Sequence, residues 1–228
     1  MDEDRLPDTP AQEPQENGPE AAPSPSSPGS RARYRDGLNE SARLLRANRP
    51  GEAMKVLEDL VREYPDDPDV AINMGGALIL QRKWNRAVKL LEEAVARHPD
   101  NALLWSNLAA AYLGRLETAG PRQQERAIRA YEKALQVDPN VPNVHYHLGL
   151  IYKERGDLKR ASAHFQRALE VNPQDRDARY WLRRLGRILA EAYGTSGEEP
   201  GSADASPERS PGAEPSSPEE DAPEDGRS

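Results

Sequence analysis

The chain has 228 residues, of which 36% are hydrophobic, with 21 prolines and a single phenylalanine, so part of it is too poor in core-forming side chains to fold. It contains no cysteine, which excludes a disulfide framework, a thiolate metal site and a thiol nucleophile. The formal net charge is −8, and it is unevenly spread.

Residues 1–30 carry one arginine against seven acids, and residues 194–228 carry two arginines against ten. The two segments hold 13 of the 21 prolines and contain no Val, Ile, Phe, Tyr or Trp, so they are expected to be disordered acidic tails. The Ser-Pro pairs at Ser24, Ser27, Ser206, Ser210 and Ser217 could be phosphorylated by proline-directed kinases, and Pro/Ser-rich composition also produces such pairs by chance, which is the favoured reading. Between the tails stand 28 basic and 22 acidic residues, a mildly basic segment over 31–193. The first residues, MDEDRLPDTP, lack the basic and apolar regions of a secretory leader, and no apolar run approaches the ~18 residues of a membrane span. The expectation is a soluble, cytoplasmic protein.

From about Arg31 the sequence turns helical and then repeats itself. The most complete unit is 142–175, and a period of 34 residues recovers imperfect copies at 34–67, 68–101 and 102–141, the last with six additional residues. Superposition of the copies gives columns. Ser41, Gly75, Ala109 and Gly149 are small at the eighth position, as are Ala53, Ala87, Ala127 and Ala161 at the twentieth. Opposite them lie Leu57, Leu91, Tyr131 and Phe165, and Leu44, Leu78, Tyr112 and Tyr152. Large against small at fixed spacing predicts two closely packed helices per copy. Pro65, Pro99, Pro139 and Pro173 end the second helix of each copy, because proline lacks the amide hydrogen and its ring blocks a continuing helix.

The copies differ in informative ways. In the third, Gly120-Pro121 predicts a longer inter-helix loop with Pro121 opening the second helix. In the first, Glu40 stands where the others have Met74, Leu108 and Leu148, as an end repeat with one face toward solvent allows. After Asp175, the stretch 176–193 reads as one amphipathic helix with Leu182, Leu185 and Leu189 on one side. It has Arg183 where a second helix would need a small residue, and no second helix follows, so it is read as a cap.

These columns resemble the tetratricopeptide repeat (TPR), a helix-turn-helix unit that stacks into a solenoid. The resemblance implies an all-α, right-handed α-solenoid of four hairpins plus a C-terminal capping helix. It also implies a concave groove lined by the first helix of each hairpin. At the family's groove positions stand Leu38, Ile72, Ser106 and Tyr146; Asn39, Asn73, Asn107 and His147; Ala42, Gly76, Ala110 and Leu150; and Leu45, Ile79 and Leu113. The floor is mostly apolar, as a binding surface is. The asparagine ladder could pair with the backbone of an extended peptide, or bond only its own scaffold or water.

No enzymatic motif is present: there is no GxGxxG, GxxxxGK[ST], HExxH or GxSxG. His145 and His147 are two apart on a helix and point to different faces, so no metal site is expected there. The family's clamp for chaperone carboxylates needs Lys, Asn, Asn, Lys and Arg where this chain has Leu38, Ala42, Asn73, Leu103 and Asn107, or Ile72, Gly76, Asn107, Asn143 and His147. Only an asparagine matches, so that partner is not expected. The slight basic excess without a nucleic-acid motif reads as solvated helix faces. The expectation is a non-enzymatic adaptor without cofactor, nucleic acid or membrane, binding a protein or peptide segment in its groove. The rival occupants of the groove are a second copy of the chain and its own acidic tails.

Overall fold

The computed structural model describes residues 28–193, and among these there are nine α-helices, one short 3-10 helix and no strand. The helices pair as four hairpins: α1 (Pro28–Arg46) with α2 (Pro50–Glu63), α3 (Pro68–Leu80) with α4 (Trp84–Arg97), α5 (Ala102–Leu113) with α6 (Pro121–Val137), and α7 (Val144–Glu154) with α8 (Leu158–Val171). The last helix, α9 (Arg176–Tyr193), packs on α8 as the expected cap. Helices α1, α3 and α5 pack side by side, and α7 joins the row through α6 and the 3-10 helix. The result is an α-solenoid. The expected tails lie outside the described residues, apart from 28–30.

Each helix boundary has a local cause. The second helices end at Glu63, Arg97, Val137 and Val171, each two residues before the proline of its copy. Two residues beyond three of those prolines, Asp67, Asn101 and Asp175 turn back to accept the first backbone amides of α3, α5 and α9. The fourth junction lacks this cap. Asn143 sits there at φ 64° with no side-chain cap, and α7 starts at Val144, two residues later than the repeat register predicts. Inside the hairpins, the turn needs one left-handed residue, supplied in register by Asn48 (φ 53°), Arg82 (φ 57°) and Gly156 (φ 75°). The six additional residues of the third copy lengthen the loop between α5 and α6, which includes the three-residue 3-10 helix Leu116–Thr118, and Pro121 opens α6 as expected.

The core follows the columns. Leu57, Leu91, Tyr131 and Phe165 are each 1% exposed or less, and one turn earlier on the same helices and in the same core clusters lie Ala53, Ala87, Ala127 and Ala161, all fully buried. The eighth-position glycines are required by close approach. A β-carbon on Gly75 would lie 2.7 Å from Leu91 Cδ2, and one on Gly149 2.8 Å from Phe165 Cε1, closer than carbon atoms approach.

One boundary is corrected by the structure. Helix α1 begins at Pro28 rather than near Arg31, because buried Ser30 shares a 3.1 Å hydrogen bond with the Tyr64 hydroxyl and so anchors an extra turn.

Candidate functional site

The expected groove residues lie along α1, α3, α5 and α7, and the structure sorts them by depth. Leu38, Leu45, Ile72, Ile79, Tyr146 and Leu150 are half-buried, each packed in part against the core and in part open to solvent. Ala42, Gly76, Ser106 and Ala110 are half-buried too and leave the floor shallow between them. Leu113 is different: at 8% exposure it belongs to the core, packed with the third and fourth hairpins, so it is removed from the floor.

Two residues at groove positions were undervalued in the sequence. Leu80 and Leu103 are 45% and 46% exposed, the highest values among the large apolar side chains described. Both occupy places on the first helices, near the end of α3 and the start of α5, that the repeat register assigns to the groove. Their register could have identified them.

The asparagine ladder holds the scaffold together. Asn73 Nδ2 donates to Ser41 Oγ at 3.0 Å, and Asn107 Nδ2 donates to the Ile72 carbonyl at 3.0 Å, so each amide ties its helix to the first helix of the preceding hairpin. Among the described residues, neither Oδ1 accepts a hydrogen bond, and Asn39 is exposed without a side-chain hydrogen bond. Of the two roles left open by the sequence, the donors are committed to the scaffold. The acceptors remain for water or a ligand.

At the fourth hairpin the packing around these positions becomes aromatic. The Tyr146 ring meets Phe165 at 5.8 Å between centroids, Phe165 stacks on Trp181 of α9 at 6.4 Å, and Lys153 Nζ lies 4.5 Å from the centre of the Trp181 ring. His147 stacks on Tyr131 at 5.6 Å, and its Nδ1 is buried with no hydrogen-bond partner. Burial lowers its pKa, so the ring is neutral and packs as an aromatic.

The two-faces argument for His145 and His147 holds, but the sequence reading missed a partner. His145 Nδ1 lies 3.2 Å from His164 Nδ1 on α8, and the 5.5 Å between ring centroids makes the contact head-on, the geometry of an N–H···N hydrogen bond. Nothing in the sequence marks this pair unless positions on the two helices of a hairpin are compared across the turn. No group of three or more metal-ligating side chains occurs among the described residues. No described helix is long and apolar enough to cross a membrane.

A row of stacked helical hairpins closed by a last helix defines a helical-repeat module. Family models agree. Residues 44–112 and 142–175 match the tetratricopeptide repeat, and residues 123–156 match a TPR repeat, leaving out the stretch around the insertion. The chain belongs to the tetratricopeptide repeat family, whose members mediate protein–protein interaction and are typically non-enzymatic.

Curated relatives cover only parts. The chain is 27% identical over 135 residues to the peroxisomal targeting signal receptor of Candida glabrata, covering 59% of this chain and 22% of that protein. It is 32% identical over 102 residues to the photosystem I assembly protein Ycf3 of Synechococcus sp. strain CC9605, covering 38% of this chain and 56% of that one. The chain thus spans less than two thirds of the length of either. Among solved structures, a thermophilic TPR protein of Thermus thermophilus superposes with a TM-score of 0.61 at 23% identity, over 68% of this chain and 82% of that one. MamA of Desulfovibrio magneticus RS-1 gives 0.53 at 23% identity, over 70% and 86%. At such identity these two likenesses speak for the fold alone.

Proposed function

We propose that the chain is a cytoplasmic, non-enzymatic adaptor that holds an extended or helical segment of a partner protein in the concave groove. The observation that carries this reading is the position of its most exposed large apolar side chains. Leu80 and Leu103 hold repeat positions that belong to the same face as Leu38, Ile72, Ile79 and Tyr146, and an apolar strip open to water gains free energy when a partner covers it. Among the described residues the groove has hydrogen-bond acceptors in the Asn73 and Asn107 carbonyls but lacks the cations of a carboxylate clamp, so the partner segment is recognised by apolar side chains and backbone amides. Binding of one such segment at micromolar strength corresponds to about −8 kcal/mol.

The test is a crosslinking pull-down from native lysate with the wild-type chain and a Leu80→Glu/Leu103→Glu variant. Both side chains are already solvated, so folding is preserved while the rim of the groove becomes charged. Loss of specific partners in the variant supports the reading, and identical partner profiles sink it.

A further inference from the structure

The cap helix α9 carries a surface that the groove reading does not use. Arg176, Arg179, Arg183 and Arg187 follow one another at intervals of three and four residues, which places them on one face of a helix. All four are exposed, and they lie opposite Ala178 and Leu185, which are 0% and 2% exposed against the fourth hairpin. Elsewhere many exposed arginines find acids, as Arg43 does with Glu40, Arg62 with Asp59, Arg129 with Glu125 and Arg167 with Glu170, while those that do not, such as Arg82, Arg86 and Arg122, are not set in a row of four along one helix face. Among the described residues, no arginine of α9 makes an ion pair. Arg179 bonds the Pro173 carbonyl and Arg184 the Tyr180 hydroxyl, while Arg176, Arg183 and Arg187 donate no side-chain hydrogen bond. This is a row of positive charge of about 16 Å at 1.5 Å per residue, facing open solvent.

The complementary charge lies a short way along the same chain. Residues 194–228 hold ten acids against two arginines, and five of the acids, Glu219, Glu220, Asp221, Glu224 and Asp225, fall within seven residues. Extended, seven residues cover about 23 Å, enough to run along the row. Twenty-five residues join Tyr193 to Glu219, and a flexible chain of that length has an end-to-end distance of about 25–30 Å, similar to the length of α9 itself, so the acidic stretch is long enough to reach back along the helix. At such a tether length the local concentration of the stretch is on the order of millimolar, well above that of a free acidic competitor.

We infer that residues 219–225 dock on the arginine row of α9 in the same molecule, as an internal acidic ligand that an acidic partner must displace. The contact is electrostatic and bidentate in kind, guanidinium to carboxylate, and it is independent of what the groove binds. It also gives α9 a role beyond closing the solenoid.

The chain has no cysteine, so a Ser217→Cys substitution in the full-length protein accepts a single nitroxide label whose effect on backbone amide signals can be read residue by residue. At low salt the amides of 176–187 should lose more than half their intensity. They should recover in 0.5 M NaCl, where screening shortens to a few ångströms, and in an Arg183→Gln/Arg187→Gln variant, which removes two side chains that hold nothing in the fold. Three results overturn the inference. One is full intensity along α9 at low salt. Another is broadening that survives in the double variant. The third is broadening that arises only between labelled and unlabelled molecules in a mixed sample, which would make a second copy the occupant. If α9 amides respond instead only to added phosphatidylserine vesicles, the row is a membrane contact and the inference fails as well.

Discussion

The neighbouring glycines of α3 offer a direct test of how closely the hairpins are packed. Gly75 and Gly76 share one helix and the same backbone state, so replacing either by alanine brings the same helix-propensity gain of about 1 kcal/mol. Their surroundings differ. A β-carbon on Gly76 would lie 3.7 Å from Leu45 Cδ1, an ordinary contact, whereas one on Gly75 would lie 2.7 Å from Leu91 Cδ2 and 3.0 Å from its Cδ1 and Cγ. Leu91 is fully buried, so it cannot swing aside, and α3 and α4 must separate. Overpacking of this kind costs about 1–3 kcal/mol, and the confinement of Leu91 puts the cost in the upper part of that range. Gly76→Ala should therefore raise stability by about 1 kcal/mol and Gly75→Ala should lower it by about 1–2 kcal/mol. For a folded unit of this size that is a gap of roughly 5–10 °C in melting temperature by circular dichroism or calorimetry. Ala109 holds the equivalent place in the third hairpin, so the constraint belongs to the spacing of α3 and α4 and not to the register. If Gly75→Ala proves as stabilising as Gly76→Ala, the close-packing account of the small column is wrong.

Other consequences are more local. Arg82 holds the left-handed turn position that Gly156 fills in the fourth hairpin, so Arg82→Gly should stabilise the chain by about 0.5–1 kcal/mol in urea titration, with the midpoint moving up and the slope unchanged. Burial first, then His145 and Arg160, lower the pKa of His164 from 6.5 to about 4. The unfolded chain therefore takes up a proton below pH 6.5 that the folded chain refuses until about pH 4. Stability is full above 6.5, falls as the pH drops through that window and levels off below it. The shift corresponds to ~3 kcal/mol, which solvent screening of the partly exposed ring reduces to about 1–2 kcal/mol; the lowered values of His145 and His147 act in the same direction. A His164→Phe variant should flatten part of the pH dependence of the melting temperature between 4 and 6.5. Asn107→Ala removes the amide that ties α5 to the Ile72 carbonyl and should cost about 0.5–1.5 kcal/mol, with hydrogen exchange rising first at the junction of the second and third hairpins.

Much of this architecture is legible in the sequence, because stacking identical hairpins forces the same volume demand every 34 residues. Pro65, Pro99 and Pro173 announce where the second helices stop, and Asp67, Asn101 and Asp175 announce where the next ones start. Arg82 was not legible as a left-handed residue, since the backbone demand of the turn is met there by a side chain with no preference for it. The late start of α7 follows from the missing cap after Pro139, where the register offers Val141 in place of Asp or Asn.

The groove was legible as a set of positions but not as a set of roles. Asn73 and Asn107 could have served a ligand or the scaffold, and their donors are taken by the preceding hairpin's first helix, a contact that depends on how far apart neighbouring hairpins sit. Leu113 looked like floor and is core, because the third and fourth hairpins close over it. The His145–His164 contact joins two residues 19 apart that meet only because α7 and α8 fold back on each other.

The central claim, that a partner lies in the concave face of the first helices, is tested most directly by site-specific photo-crosslinking in cells. A photoreactive amino acid at Ser106, half-buried on α5 at a proposed groove position, is compared with one at Glu132, exposed on α6. The groove account predicts discrete adducts from position 106 that position 132 does not give, and their loss in the Leu80→Glu/Leu103→Glu background. The same adducts from both positions, or adducts from 132 alone, would contradict it.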